Sequence, residues 1–316
     1  MARIPRKLVI DNFVVGVYHC VQRCVRRAYL CGLDRSSGKN YNYRKKWIEK
    51  RLEHLAGQMA VEVLGCTIMS NHLHLILRNR PDVVPTWSDE EVARRWWNLC
   101  PRKDKKGKPL EPTEKDLERM TKDPLRMLVL RGRLSSISWM MRFLVLLIAR
   151  RANKEDGCTG GFWEGRYHCQ RLLDEAALLA CSLYVDLNPI RAGIAETPET
   201  SEFTAAYNRI RAMQQAARRN GAEGVDDELS DAEAADGWLS PIYLDPTSVG
   251  PPAPGTRRAT NQGFLSLKRS EYLALLDQAG RQIRTGKPGA IPADCKPILE
   301  RIGLSPTTWI ETIQHF

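Results

Sequence analysis

The chain has 316 residues, of which 43% are hydrophobic and 27% charged, a balance typical of a globular protein with one large domain or two ordinary ones. Lys and Arg number 48 against 37 acidic residues, so the net charge is +11. This excess favours a polyanionic partner, with nucleic acid as the first interpretation and an anionic membrane surface as the second. The longest apolar run, 143–148, is far shorter than the roughly 18 residues that span a bilayer, and the first residues lack the apolar core of a signal peptide. We therefore expect a cytoplasmic protein without a membrane partner.

The nine cysteines show no C-x-x-C pair and no zinc-finger spacing, and their number is odd. We interpret them as reduced thiols, several of them in the core. A metal site made of His19, Cys20 and Cys24 is the weaker interpretation, because a four-residue spacing without a second cluster favours ordinary packing.

Strand and helix signals alternate in the first part of the chain. Residues 15–23 are β-rich and predict a strand, and residues 43–59 carry apolar side chains at helical spacing. Two further strands are predicted over 61–69 and 72–78, with only Ser70-Asn71 between them. A join this short indicates a tight hairpin.

The middle of the chain is predicted to be mainly helical. Residues 81–123 lose the strand pattern and contain a basic run at 102–108, so we interpret them as a surface insertion whose charges are either solvated or in contact with phosphates. A long apolar helix or helix pair is predicted over 125–153, and a short extended piece over 162–169.

A helix is predicted over 174–187 because both of its ends are marked. Asp174 can accept hydrogen bonds from the first free backbone amides, and Pro189 disfavours helical geometry at Asn188.

The last third predicts less order. A helix to about residue 219 precedes an acidic stretch, 221–236, and a Pro/Gly-rich stretch, 250–255, which together read as a linker of low order. Helical spacing returns after 264 and predicts a small helical appendage. The predicted divisions are 1–200, 201–263 and 264–316.

The predicted strand over 72–78 carries the first chemical signal. Side chains alternate between the faces of a strand, so His72 and His74 point to one side and Leu73 and Leu75 to the other. Two neutral imidazoles on one face suit a divalent ion that polarises a phosphoryl oxygen. Alone, such a pair is more often an ordinary polar surface feature.

The second signal lies in the helix predicted over 174–187. Tyr184 and Asn188 are four residues apart, so they share a helix face about one turn apart. A phenol aimed at phosphorus, with an amide oxygen that completes a metal shell, would form a compact active site. The alternative is a half-buried core tyrosine and a helix-terminal asparagine, and it prevails unless the histidine pair lies nearby.

Four segments, in this order along the chain, closely resemble the single-tyrosine HUH transposases, and in particular the REP-associated tyrosine transposases. They are Y-H-C-V at 18–21 with Arg23, M-S-N-H-L-H-L at 69–75, F-W-E-G-R-Y at 162–167, and Y-V-D-L-N-P-I-R-A-G at 184–193. The resemblance covers roughly residues 1 to 200, interrupted by the insertion after Pro81. Ordered agreement of four segments is far more specific than any one motif.

The resemblance implies an α+β fold in which helices back an antiparallel sheet of four or five strands, the ferredoxin-like HUH core, here with a helical C-terminal extension. It assigns His72 and His74 as metal ligands for Mg²⁺ or Mn²⁺, Tyr184 as the nucleophile and Asn188 as the third ligand. The implied activity is cleavage and rejoining of single-stranded DNA beside a hairpin through a 5′-phosphotyrosine, in the nucleoid. Monomer and homodimer both stay open, because some relatives exchange the tyrosine helix.

Several further residues are candidates for DNA contact. Guanidinium groups neutralise backbone phosphates, and the arginines selected on this ground are Arg23, Arg26, Arg27, Arg78, Arg150, Arg151 and Arg191. For any single one of them a solvated surface role is favoured, and Arg166 is interpreted as structural or as a DNA contact. We interpret Tyr167 as structural or as a DNA contact. Trp96 and Trp97 could stack on unpaired bases, although ordinary helix burial is slightly favoured.

Two other classes of function compete with the transposase. One is a catalytically silent regulator that binds hairpin DNA, which would have no need to keep both histidines, the tyrosine and the asparagine. The other is an RNA-binding protein that uses the same kind of sheet, although the aromatic motif typical of such proteins is not visible.

Overall fold

A computed structural model describes residues 5–25, 31–34, 38–220, 234–244 and 257–303. Within these ranges four strands form one sheet in the order β2-β3-β1-β4, and all neighbouring strands are antiparallel. The strands are Gly16–Arg23 (β1), Val61–Ile68 (β2), His72–Asn79 (β3) and His168–Leu172 (β4). The predicted α+β class with an antiparallel sheet is therefore confirmed, as are the strands predicted at 15–23, 61–69 and 72–78.

Helices occupy about half of the remaining described residues. They are Tyr43–Gln58 (α1), Asp89–Leu99 (α2), Glu114–Thr121 (α3), Pro124–Leu134 (α4), Ile137–Glu155 (α5), Glu175–Asp186 (α6), Asn188–Arg191 (α7), Ala205–Asn220 (α8), Arg269–Arg281 (α9) and Ile298–Arg301 (α10). Short 3₁₀ turns lie at Arg6–Leu8, Val84–Thr86 and Pro198–Thr200.

The β2–β3 hairpin sets the positions of the chemical side chains. Its turn is Ser70-Asn71, as predicted, and the Met69 amide donates to the His72 carbonyl oxygen at 2.9 Å. A bulge between Val63 and Gly65 shifts the register, so that Thr67 rather than Cys66 lies opposite His74. The bulge thereby brings a hydroxyl beside the imidazole.

One face of the sheet packs on α1 and α5. Leu73, Leu75 and Leu77 of β3 lie in this first core with Leu52 and Leu144. This is the apolar face that the alternation predicted, and it is closed by helices with apolar residues at helical spacing.

The segment 81–123, predicted as a surface insertion, contains α2 and α3 and contributes to the same core through Trp97 and Leu117. Ser88 caps α2 by accepting from the Glu91 amide at 3.1 Å, and Thr113 and Asp116 form a capping box at α3. The basic run lies between these two helices and is largely exposed. The segment is therefore a folded layer with an exposed basic loop.

The opposite face of the sheet packs on α6 and α8, and α9 joins the same core by packing on α6. Ile76 of β3 lies in this second core with Val185, Ile210 and Leu276. The C-terminal part of the chain thus shares one core with the predicted main domain. The stretches 221–233, 245–256 and 304–316 lie outside the described residues, and they include most of the acidic stretch and all of the Pro/Gly-rich one.

Among the described residues, no single helix combines the length and the apolar character needed to cross a membrane. Taken jointly, Pro124–Leu134 and Ile137–Glu155 meet the length and composition criteria, but a bend of 74° separates the two helices.

Candidate active site

Four aromatic side chains converge on the second-core face of the sheet. His72 and His74 point to this face from β3, and their ring centroids are 4.9 Å apart. Tyr184 approaches from α6, with its ring 5.6 Å from that of His74 and nearly perpendicular to it. His19 joins them from β1, 5.2 Å from His74 and 6.2 Å from Tyr184. The structure therefore brings together the paired imidazoles and the phenol on which the sequence-based hypothesis depends.

His74 is buried and incompletely paired. Its side chain is 5% exposed, and its Nε2 is buried without a hydrogen-bond partner among the described residues. A buried polar atom without a partner is costly and calls for an explanation such as an ion. A coordinating metal ion would satisfy this nitrogen.

Both histidines of β3 are neutral at physiological pH. The pKa of His72 is lowered to about 4, first by burial and then by the positive charge of Arg23. The pKa of His74 is lowered to about 3 by burial and, less strongly, by His72 and His19. Neutral imidazoles keep a free lone pair, which is the state that ligates a metal.

The neighbour of His72 selects the nitrogen that it can offer. His72 Nδ1 lies 2.6 Å from Asn71 Oδ1, and an amide oxygen only accepts hydrogen bonds. The proton is therefore on Nδ1, and the lone pair of His72 is on Nε2. The turn residue Asn71 thus leaves Nε2 as the nitrogen with which His72 could accept a proton or bind an ion.

Tyr184 is the exposed member of the cluster, with 48% of its surface accessible. Asp174 caps its helix by accepting from the Ala177 amide at 2.7 Å, as the sequence predicted. On β2, the Thr67 hydroxyl donates to the Val185 carbonyl oxygen. The Thr67 hydrogen bond ties α6, the helix that carries Tyr184, to the strand that runs beside His74.

A buried carboxylate fixes the rotation of the same helix. Asp186 accepts from the Tyr272 hydroxyl at 2.6 Å and from the Ala206 amide at 3.1 Å. Burial raises the pKa of Asp186, and these hydrogen bonds oppose that rise. Because Asp186 points into the second core, Tyr184, two residues earlier, points away from that core and toward the imidazoles.

Asn188 begins α7, one turn beyond Tyr184. Its Nδ2 donates to the Tyr184 carbonyl oxygen at 3.2 Å, so the contact that it makes is with its own helix end. The described residues hold no group of three or more His, Cys, Asp and Glu side chains arranged as a metal site. The metal ligands expected from the sequence, the two imidazoles and the Asn188 amide oxygen, do not belong to such a group, because they include only two side chains of these four types.

The predicted DNA-contacting arginines separate into two groups. Arg78 is buried and donates to the Gly263 carbonyl oxygen at 2.9 Å, and Arg191 donates to the Gln282 and Ala279 carbonyl oxygens at 2.6 Å. Both guanidinium groups hold the C-terminal part of the chain onto the core, and we leave them out of the candidate DNA surface. The exposed members are Arg23, Arg150, Arg151 and Arg166, while Arg26 and Arg27 lie outside the described residues.

Three other aromatic residues lie in the first core, away from the site. Tyr167 is 6% exposed, its hydroxyl is 3.0 Å from Ser138 Oγ, and burial raises its pKa to about 12. These contacts indicate a structural role, and burial together with the raised pKa makes Tyr167 a poor nucleophile. Trp97 is buried as well, whereas the half-buried Trp96 packs edge-on against Trp139.

His19 is the site residue that sequence reasoning assigned to ordinary packing. In the β1–β3 register it lies opposite Ile76, which makes His74 its diagonal neighbour. Diagonal neighbours are within reach of aromatic side chains. The alternation of side chains along β1 assigns His19 to one face of the sheet, but only the β1–β3 register shows that it meets His74 there.

Comparison with solved structures finds a distant match. The solved structure of a REP-associated tyrosine transposase bound to a REP hairpin matches 72% of this chain and 92% of its own, with a TM-score of 0.37 and 11% sequence identity. No protein-family model matches the chain, and no curated protein matches it. Because both the TM-score and the identity are low, the function proposed below rests on the geometry of the site.

Proposed function

We propose that the chain is a metal-dependent DNA transposase that nicks and rejoins single-stranded DNA beside hairpins, with Tyr184 as its nucleophile. The observation that carries this proposal is the half-exposed Tyr184 ring, 5.6 Å from His74, whose buried Nε2 lacks a hydrogen-bond partner among the described residues. A packed structural tyrosine would need no unpaired imidazole beside it.

His72 and His74 would hold a divalent ion, Mg²⁺ or Mn²⁺, through their Nε2 atoms, with Asn188 Oδ1 as the proposed third ligand. When bound, the ion would polarise a non-bridging phosphoryl oxygen and stabilise negative charge in the transition state. Asn188 would have to turn its oxygen toward the imidazoles, while its Nδ2 keeps the bond to the Tyr184 carbonyl oxygen.

Tyr184 would perform the bond exchange. Its Oη bonds to the phosphorus of the scissile phosphodiester while the bond from phosphorus to the 3′ oxygen breaks. The phenolic proton is lost to solvent, and the departing 3′ oxygen takes up a proton. The products are a 5′-phosphotyrosine and a free 3′-hydroxyl, and attack by another 3′-hydroxyl reverses the step and joins two strands.

Arg23 would hold the DNA backbone near this centre, whereas Arg150 and Arg151 lie on α5, which packs on the first-core face of the sheet. Arg23 lies opposite His72 in the β1–β3 register, so its charge is adjacent to the site. Arg150, Arg151 and Arg166 are also exposed, and the net charge of +11 favours a nucleic-acid partner.

A covalent-adduct assay tests the proposal. The substrate is a pool of 3′-labelled single-stranded oligonucleotides in which a stable hairpin is flanked by randomised positions, so that no target sequence has to be assumed. With Mn²⁺, wild-type protein should form a labelled adduct that survives denaturant. Tyr184→Phe should form none and should still bind the hairpin.

Tyr167→Phe is the matched control, because it removes the same hydroxyl from a buried position. This variant should form the adduct at the wild-type level. If Tyr167→Phe lost the adduct and Tyr184→Phe kept it, the nucleophile would be Tyr167 and not Tyr184. Tight hairpin binding by the wild type without an adduct at any Mn²⁺ concentration would instead identify a silent DNA-binding regulator.

A further inference from the structure

The imidazoles of His19 and His74 are joined by a hydrogen bond. His19 Nε2 lies 3.0 Å from His74 Nδ1, and the two rings are nearly parallel, with an angle of 13° between their planes. When both rings are neutral, this bond contains one proton, which belongs to one nitrogen or to the other.

The position of that proton decides whether His74 can bind a metal. If Nδ1 of His74 carries it, the lone pair of the ring is on Nε2, the buried atom that lacks a hydrogen-bond partner among the described residues. If His19 Nε2 carries it, His74 must carry its own proton on Nε2. That N–H would be buried without an acceptor and would block a metal ion from the ring.

The other imidazole of the pair supplies an independent comparison. The acceptor Asn71 Oδ1 places the proton of His72 on Nδ1, so His72 presents its Nε2 lone pair. Nδ1 of each ring is engaged by a neighbour, so each ring can offer a metal only its Nε2. His19 therefore stands to His74 as Asn71 stands to His72.

We infer that His19 is a positioning residue: its Nε2 accepts the Nδ1 proton of His74 and so holds the His74 Nε2 lone pair toward the metal. This inference rests on the proposed function, because the proposed metal ion is what the buried His74 Nε2 would bind. His19 itself is not a ligand in this arrangement, since the nitrogen that faces the site is already engaged by His74.

Two substitutions separate positioning from packing. His19→Leu replaces the imidazole by an apolar side chain of similar bulk and so removes the acceptor. His19→Gln replaces it by a side chain that can accept through its Oε1. In calorimetric titration of metal-free protein with Mn²⁺ and no DNA, His19→Leu should bind 10- to 100-fold more weakly than wild type, about the loss that follows removal of a second-shell partner. His19→Gln should stay within a few-fold of wild type.

The tautomer can also be observed directly in metal-free protein. Two-bond ¹H–¹⁵N NMR spectra at neutral pH should show His74 protonated at Nδ1 in the wild type and in His19→Gln. In His19→Leu the two tautomers of His74 should become mixed or reversed. Circular dichroism checks that each variant is folded.

Two results would overturn the inference. One is His19→Leu with unchanged Mn²⁺ affinity and an unchanged His74 tautomer. The other is His19→Gln as weak as His19→Leu, which would make His19 a direct ligand or a packing residue. Because the tautomer is measured without metal or DNA, its outcome is separate from that of the adduct assay, on which the proposed function depends.

Discussion

The two ends of strand β3 carry polar side chains on the same face of the sheet, yet they are built differently. At one end, His72 and His74 face the half-exposed Tyr184. At the other end, Arg78 is covered by the segment after residue 257 and donates to the Gln262 carbonyl oxygen at 2.6 Å. Within one strand, the face changes from an open polar site to a closed structural network.

The difference lies in how the polar atoms are satisfied. At the covered end, Glu62 accepts from Arg78 and from the Thr260 hydroxyl, and Arg80 donates to it at 3.2 Å. At the open end, His74 Nε2 has no such partner among the described residues. Complete pairing indicates a stabilising role, and incomplete pairing beside an exposed phenol indicates a binding role. The predictions below test this contrast.

The largest effect is expected at the covered end. Glu62→Ala leaves two buried guanidinium groups without their shared carboxylate, so we expect the free energy of unfolding to fall by about 3 to 5 kcal/mol. Urea denaturation measures it. Glu90→Ala is the control, because its pair with Arg94 is exposed and should contribute less than about 0.5 kcal/mol. Equal losses in the two variants would remove the distinction between the covered network and an ordinary surface pair.

Metal removal should affect the open end alone. At an Mn²⁺ concentration of about one hundred times Kd, binding should stabilise wild-type protein by about 2.7 kcal/mol relative to protein in EDTA. His72→Ala should lose this gain, while its metal-free stability changes by less than about 1 kcal/mol. His54→Ala is the control, since His54 lies on α1 and contacts the Asn98 carbonyl oxygen. If Mn²⁺ stabilised His72→Ala as much as wild-type protein, the ion would bind elsewhere.

Sequence reasoning found the open end because its signals are local. Alternation along β3 placed His72 and His74 on one face, and the four-residue spacing placed Tyr184 one helical turn before Asn188. The Asp174 cap and the Ser70-Asn71 turn are local as well. Each follows from the period of an element and from the chemistry of its ends.

The rest depends on contacts between distant parts of the chain. Arg78 looked like a phosphate-binding residue because nothing nearby shows that carbonyl groups almost two hundred residues later would cover it. His19 meets His74 only in a specific register. Helix α2 carried a readable signal in Ser88 followed by three acidic residues, but the basic run dominated the interpretation of that segment.

A hydrogen bond between Tyr272 of α9 and Asp186 of α6 joins the C-terminal part of the chain to the helix that carries Tyr184. Tyr272→Phe removes the hydroxyl that donates to the buried Asp186 at 2.6 Å. We expect a loss of about 1.5 to 3 kcal/mol, the usual range for a hydrogen bond to a charged group. Tyr243→Phe, at a position 50% exposed, should change little. A Tyr272→Phe protein of wild-type stability would mean that apolar packing alone holds the helix.

A smaller effect is expected where β2 holds the same helix. Thr67→Val keeps the side-chain shape and loses the hydrogen bond to the Val185 carbonyl oxygen, at a cost of about 1 kcal/mol. Because this bond is close to Tyr184, the rate of adduct formation should also fall. Thr86→Val removes an exposed hydroxyl from a distant turn and should change neither quantity. Unchanged adduct kinetics in Thr67→Val would limit the role of this bond to stability.

The smallest effect concerns the exposed charge beside the site. Arg23→Ala removes one cation opposite His72, so the slope of log affinity against log salt for a hairpin oligonucleotide should become shallower by about 0.7 to 0.9. Arg94→Ala is the matched control, because Arg94 is also exposed but lies on α2, whose buried residues belong to the first core on the other side of the sheet. Fluorescence anisotropy at several salt concentrations measures both slopes. Equal changes in the two variants would mean that the DNA follows the overall positive charge of the protein, whereas a change confined to Arg23 would locate the backbone beside the imidazoles.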